Sequence, residues 1–133
     1  MHIDDYNMSM KGLIKNIETQ AEENENFRKV LTTGKHTQVV IMSILPKGEI
    51  GTETHPDNDQ VLFLEEGSGK AILGGEENEF SKGDLVLVHA GVEHNFIAGE
   101  NGMKIITTYS PSHHKSGTIH KTKEEAEKAE LEE

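Results

Sequence analysis

Two short stretches of this chain concentrate the side chains that can do chemistry. In GEIGTETHPDNDQVLFLEEG, residues 48–67, Glu53 and His55 stand two apart and Gln60 opens an apolar run. In GDLVLVHAGVEHNF, residues 83–96, His94 falls just after a loop and just before the next strand. Residues two apart on an extended chain point to one face, so Glu53 and His55 act together, and Gln60 shares a face with Leu62 and Leu64. Three strand-edge positions and a distant histidine can converge inside a barrel, in a dry pocket walled by Val, Leu and Ile. Such a group is either a metal site or a polar pocket without metal. Burying Glu53 beside two histidines is costly unless a cation neutralises it, which favours the metal. Asp59, three residues after His55, competes with Gln60 as a ligand.

The elements that must position these residues are short. From Phe27 onward, apolar runs alternate with turn residues. FRKVL and QVVIMSIL flank Thr33-Gly34-Lys35, a hairpin turn. VLFL leads into EEGSG, read as a turn on its glycines. KAIL and NEF flank Gly74-Gly75, a second hairpin. Ser81-Lys82-Gly83-Asp84 is a turn before LVLV, and GENG is a turn between NFIA and MKIITTY. Gly67, Gly69, Gly74, Gly75, Gly83 and Gly91 all read as turn glycines. Closely spaced strands with no helices between them indicate an all-β sandwich or barrel. Met10, Leu13, Ile14, Ile17 and Ala21 fall at helical spacing, with Ser9 as a cap. At the other end KEEAEKAELEE is a helix opened by a Thr122–Glu125 capping box, with few apolar residues and weak packing. The segments are a helical one over residues 1–26, a barrel over 27–112, and a loop and helix over 113–133.

Composition narrows the function. The chain of 133 residues has no cysteine, so any metal is held by nitrogen and oxygen. A net charge of -11 repels phosphate backbones and argues against nucleic acid as a partner. No apolar run is long enough to span a membrane, and MHIDDYNMSM is not a secretory signal; the expected location is the cytoplasm. Arg28 is the single arginine, which weighs against a phosphorylated or dicarboxylate substrate. His36 reads as exposed from its place in a turn, and the histidines at 113, 114 and 120 read as a surface loop, because adjacent histidines point apart on an extended chain. His89 reads as a turn residue at the barrel rim. Tyr109 ends the last strand as a core residue with a wet tip. GSGK is no phosphate loop, since no upstream glycine and no following helix accompany it.

Together the two stretches resemble the paired motifs of the cupin superfamily. The family's second motif is a glycine, five residues, Pro-x-Gly, two residues and a histidine. Here Gly83 is followed by five residues, His89-Ala90-Gly91, two residues and His94. The first motif ends in a glutamate, six residues and a glycine; here Gln60 and Gly67 keep that spacing, and this selects Gln60 over Asp59. Four positions depart from the pattern. Glu53 stands for the first histidine, Gln60 for the glutamate and His89 for the proline, and the spacer from Gly48 to Glu53 is one residue short. The carboxylate has thus moved within the set. The resemblance implies a jelly-roll barrel, or double-stranded β-helix, with a helix at each end. It also implies one divalent Mn, Fe, Ni, Co or Zn ion on Glu53, His55, Gln60 and His94, a small-molecule ligand, and a homodimer. Two histidines and a carboxylate form the triad of non-haem iron oxygenases. Three functions stay open: a metal-dependent enzyme of oxygenase type, a sugar or sugar-phosphate isomerase, and a non-catalytic binding barrel. The closing segment YSPSHHKSGTIHKTKEEAE resembles that of many small bacterial cupins.

Overall fold

The alternation of apolar and polar residues becomes seven strands in the computed structural model, which describes residues 11–131. The elements run α1 (Ile17–Glu23), β1 (Arg28–Thr33), β2 (Gln38–Ile44), β3 (Asp59–Leu73), β4 (Glu76–Ser81), β5 (Leu85–Val88), β6 (His94–Ser110), β7 (Ile119–His120) and α2 (Lys123–Leu131). The strands pair antiparallel in the order β4-β3-β6-β2-β1-β7, with β5 also on β3. The two long strands carry the architecture. The first part of β3 pairs with β5 and with the second part of β6; the second part of β3 pairs with β4 and with the first part of β6. The early part of β6 also bonds to Glu49 and Glu53 across isolated bridges. Each long strand therefore serves both faces of a jelly-roll barrel.

Register shifts between Leu64 and Glu66 and between Gly67 and Gly69 mark where β3 bends. Such extra residues sharpen local bending and twist. The expected turns at EEGSG and GENG do not end strands: the first lies within β3, and the second is an unpaired four-residue stretch at a register shift within β6. Gly67 and Gly69 serve close approach instead. A Cβ on Gly67 would lie 1.9 Å from the Gly102 carbonyl oxygen, and one on Gly69 would lie 2.1 Å from that of Ile97. Glycine punctuation reads alike for a turn and for two backbones pressed together.

Inward residues alternate along each strand. Leu62 and Leu64 of β3, Val40, Met42 and Ile44 of β2, Ile105 and Met103 of β6, with Phe80 and Phe96, form the main core. Ala21, Leu31 and Ile41 make a second cluster, where α1 covers the outer face of the sheet. The N-terminal helix is shorter than expected. It begins at Ile17, because the Asn16 side chain accepts a hydrogen bond from Thr19 N and caps it there. Leu13 and Ile14 precede it, with Ile14 97% exposed, while Ser9 and Met10 lie outside the described residues. The C-terminal helix is capped by Thr122 Oγ1, which accepts from Glu125 N. It is tied down more firmly than its composition suggests, since Ala126 is buried in the main core. Strand β7, two residues long, gave no periodic signal; it is held by pairing with Arg28 and Lys29. Among the described residues no helix is long and apolar enough to cross a membrane.

Candidate metal centre

Glu53, His55 and His94 each offer a ligand atom, and these atoms all lie within 4.8 Å of one another. The backbone brings them there. Glu53 and His94 exchange both of their N–H···O bonds at 2.9 Å. Asn95 pins the segment before Glu53: its Oδ1 accepts from Gly51 N and its Nδ2 donates to Glu49 Oε1. The His55 carbonyl accepts from Gly91 N, so the loop before His94 is clamped to the loop after His55. Asp59 reinforces this clamp, for its Oδ1 accepts from Ala90 N at 3.0 Å. Asp59 is thus occupied at the surface, whereas Gln60 is buried and faces inward with Leu62 and Leu64.

The orientation of the donor atoms is fixed by their neighbours. His94 Nδ1 lies 2.8 Å from the Val92 carbonyl. Only a protonated Nδ1 suits that contact, which leaves the lone pair on Nε2. Thr107 Oγ1 donates to the Val61 carbonyl at 2.8 Å, so it can only accept from Gln60; the Gln60 amide nitrogen fills that place at 3.0 Å. Gln60 Oε1 is thereby turned free. Burial pushes the Glu53 carboxyl up, but His55, Arg28 and His94 outweigh it and hold the group below its ordinary value. Burial also pushes the His94 imidazole down, against the Val92 bond.

Five buried side-chain atoms have no hydrogen-bond partner among the described residues: Arg28 Nε, His55 Nε2, Gln60 Oε1, His94 Nε2 and His114 Nε2. Three of them are the atoms through which His55, Gln60 and His94 would bind a cation. Each unmet buried polar atom costs about 1–3 kcal/mol. One divalent ion would satisfy the two histidine atoms and neutralise Glu53, whose ligand atoms lie within 4.8 Å of one another, so these three residues fit a metal.

The structure adds residues that the sequence did not mark. His113 is not remote from the site: its ring centroid lies 4.3 Å from that of His55 and 5.4 Å from that of Tyr109. His114 meets Tyr109 edge-on at 5.1 Å. His113 is exposed in a loop, as expected, but the loop is not detached from the barrel. Gln38 Oε1 accepts from both His113 N and His114 N, which folds the chain back onto the barrel. Asn58 Nδ2 holds the same segment through the Pro111 carbonyl. Arg28 is buried on the inward side of β1, with Nη1 3.4 Å from His120 Nδ1. Tyr109, near the end of β6, is in register with both Gln60 and Gln38, so the chain leaves the strand at the level of the site; no local sequence signal marks this. His36 and His89 are exposed, as their turn positions suggested.

The model of the Cupin domain family matches residues 40–109. The chain is 36% identical over 127 residues to the uncharacterized protein YrkC of Bacillus subtilis, covering 90% of this chain and 68% of that one. The crystal structure of BH2720 from Bacillus halodurans superposes with a TM-score of 0.85 at 36% identity, over 87% of this chain and 93% of that one. The pectin degradation protein KdgF of Dickeya dadantii is 29% identical over 85 residues, covering 63% of this chain and 76% of that protein.

Proposed function

Because this chain belongs to the Cupin domain family, we propose that it is a metal-dependent enzyme acting on a small molecule, with one Mn, Fe, Ni, Co or Zn ion held by Glu53, His55, Gln60 and His94. The observation that carries this reading is the pair of orphaned donor atoms on His55 and His94 clustered with the Glu53 carboxylate, with Gln60 Oε1 a further orphaned buried oxygen. Two histidines and one carboxylate match the oxygenase triad, and this favours oxygenase-type chemistry. When bound, the ion supplies Lewis acidity or, as ferrous iron, oxygen activation. The chain's own residues do the rest. Gln60 adds a neutral donor and so does not weaken the cation's pull. The apolar walls, Leu62, Val40, Ile105 and Phe96, exclude water. Tyr109, whose phenol burial pushes up, stays protonated and can donate a hydrogen bond.

A second reading, action on a sugar-derived substrate without oxygen, is supported by the likeness to the pectin degradation protein. A homodimer is supported by Leu85 and Leu87, which are 63% and 45% exposed on the outer face beside Phe63 and Val61. The acidic net charge supports a small-molecule partner over nucleic acid.

The test is elemental analysis of protein purified without added metal, followed by oxygen uptake with Fe(II). About one ion per chain together with oxygen consumption supports the oxygenase. Bound metal with carbonyl-group conversion under anaerobic conditions supports the second reading. No metal in wild type, with a melting temperature unmoved by chelator, overturns both.

A further inference from the structure

The five orphaned buried atoms divide into three metal donors and two others, Arg28 Nε and His114 Nε2. The second pair has no part in holding the ion. Arg28 is the chain's only arginine, it is 2% exposed, and its side chain starts from the inward face of β1. A guanidinium stays charged at any working pH and is costly to bury unless an anion meets it. Its positions on the inside are a long bond to His120 and the face of Phe27, 5.2 Å from the ring centre. Nε has no hydrogen-bond partner among the described residues, although Glu53 borders the same cavity.

The surroundings tie this group to the metal centre. The Arg28 charge acts on Glu53, on Tyr109 and on His114. His114 touches Tyr109, and Tyr109 lies edge-on to His55 at 5.6 Å. A cavity of about 70 Å³ borders both Arg28 and Glu53, about two water volumes and room for one carboxylate group. Its outer wall is α2, where exposed Glu127 and Glu130 make a poor entrance for an anion. Charge counting points the same way. A divalent ion, Glu53 and Arg28 together leave two positive charges in a low-dielectric interior, and an anionic ligand would offset them.

We propose that Arg28 is the carboxylate-binding group of this barrel, so that the ligand is a small carboxylic acid whose neighbouring oxygen reaches the metal. A guanidinium edge and a carboxylate form paired charge-assisted hydrogen bonds. One arginine serves one carboxylate, which fits a monocarboxylic 2-hydroxy or 2-oxo acid and not a phosphate ester or a dicarboxylate. The chelating half of this proposal rests on the metal reading above; the Arg28 half does not.

The test uses full-length protein whose metal content is measured first. Glycolate, lactate and pyruvate are titrated calorimetrically, each against its primary amide, which keeps the second oxygen and loses the charge. At least one acid should bind wild type tenfold or more tighter than its amide. Arg28→Lys keeps the positive charge but loses the Nε edge; it should retain the metal and lose most of that preference. Arg28→Gln should lose it entirely. If no acid is preferred over its amide in wild type, or if Arg28→Lys retains the preference in full, the proposal is overturned. If the variants fail to fold, the acid-over-amide comparison is made on chelator-treated wild type, where no cation can supply the preference, and its absence there overturns the proposal. If wild type takes up no metal, the metal reading fails by itself, and Arg28 is judged by the same acid-over-amide preference in the metal-free protein.

Discussion

His55 Nε2 lies 3.4 Å from Glu53 Oε1, close enough to share an ion. His94 offers a ligand atom within 4.8 Å of both, and its Nε2 has no other partner among the described residues.

That arrangement fixes the response of the centre to mutation. Glu53→Gln removes the only ligand charge and should lower metal affinity roughly a hundredfold or more. His55→Ala should abolish the rise in melting temperature that metal gives wild type. Gln60→Glu adds a second anionic donor, so affinity should hold or increase while Lewis acidity weakens. Asp59→Asn should leave metal content unchanged, because Asp59 is bonded to Ala90 N at the surface. Metal titration followed by elemental analysis reads all four. Loss of metal in Asp59→Asn with retention in Gln60→Ala would show that the wrong residue has been chosen.

Acid should destabilise the metal-free protein in a way that involves His114. Burial first, then Arg28 nearby, pushes this imidazole down to about 2, and burial lowers His94 too. The unfolded chain takes up protons near about pH 6.5 that the folded chain refuses. Stability from these groups is therefore full above that pH and is lost as pH falls below it, toward the folded values. Urea midpoints should be nearly level from about pH 7.5 to about pH 6.5 and fall from there to about pH 4, less steeply for His114→Asn. Equal slopes would remove His114 from the account.

Glu65 should behave in the opposite sense. It is buried beside α1, and its carboxyl lies within 4.8 Å of those of Glu18 and Glu22. Burial, then Glu22 and the other glutamates, pushes it up. A carboxyl raised in this way contributes stability that is present at low pH and is lost as pH rises through its folded value. Glu65→Gln should raise the urea midpoint at neutral pH and have little effect near pH 4, where wild type is already protonated. A lower midpoint at neutral pH would contradict this.

The bend in β3 is sterically exacting. Gly69→Ala would drive a methyl group into the Ile97 carbonyl, and a cost of about 2–3 kcal/mol or more is expected. Gly34→Ala, whose added methyl meets only the Thr37 carbonyl at 3.4 Å, should stay within about 0.5 kcal/mol. Chemical denaturation of the pair separates backbone contact from a general glycine effect.

The barrel and its candidate donors were legible because period-two patterning and donor spacing are local signals. Gln60 precedes Leu62 and Leu64 at the spacing that makes one face, and the structure buries all three. The rest depended on contacts between distant segments. Nothing local to Ser68-Gly69 says that Ile97 will press against it. Nothing local to Ser112-His113-His114 says that Gln38, 75 residues earlier, will turn the segment inward. The single arginine was counted as a composition fact, and only the inward register of β1 gives it a place. The N-terminal helix was set too early because apolar spacing continued upstream of Asn16, where the cap ends it.

The pairing of β1 with β7 joins Arg28 to His120 across 92 residues. Its consequence is kinetic. Contacts so distant in sequence form late and slow the search for the native fold. Every proposed metal donor has been synthesised by residue 94, yet the strand that seals β1 arrives well after it. A nascent chain thus has its donors in hand before the barrel closes. Metal capture can precede or follow closure, and the order would show in whether added metal speeds refolding or only slows unfolding.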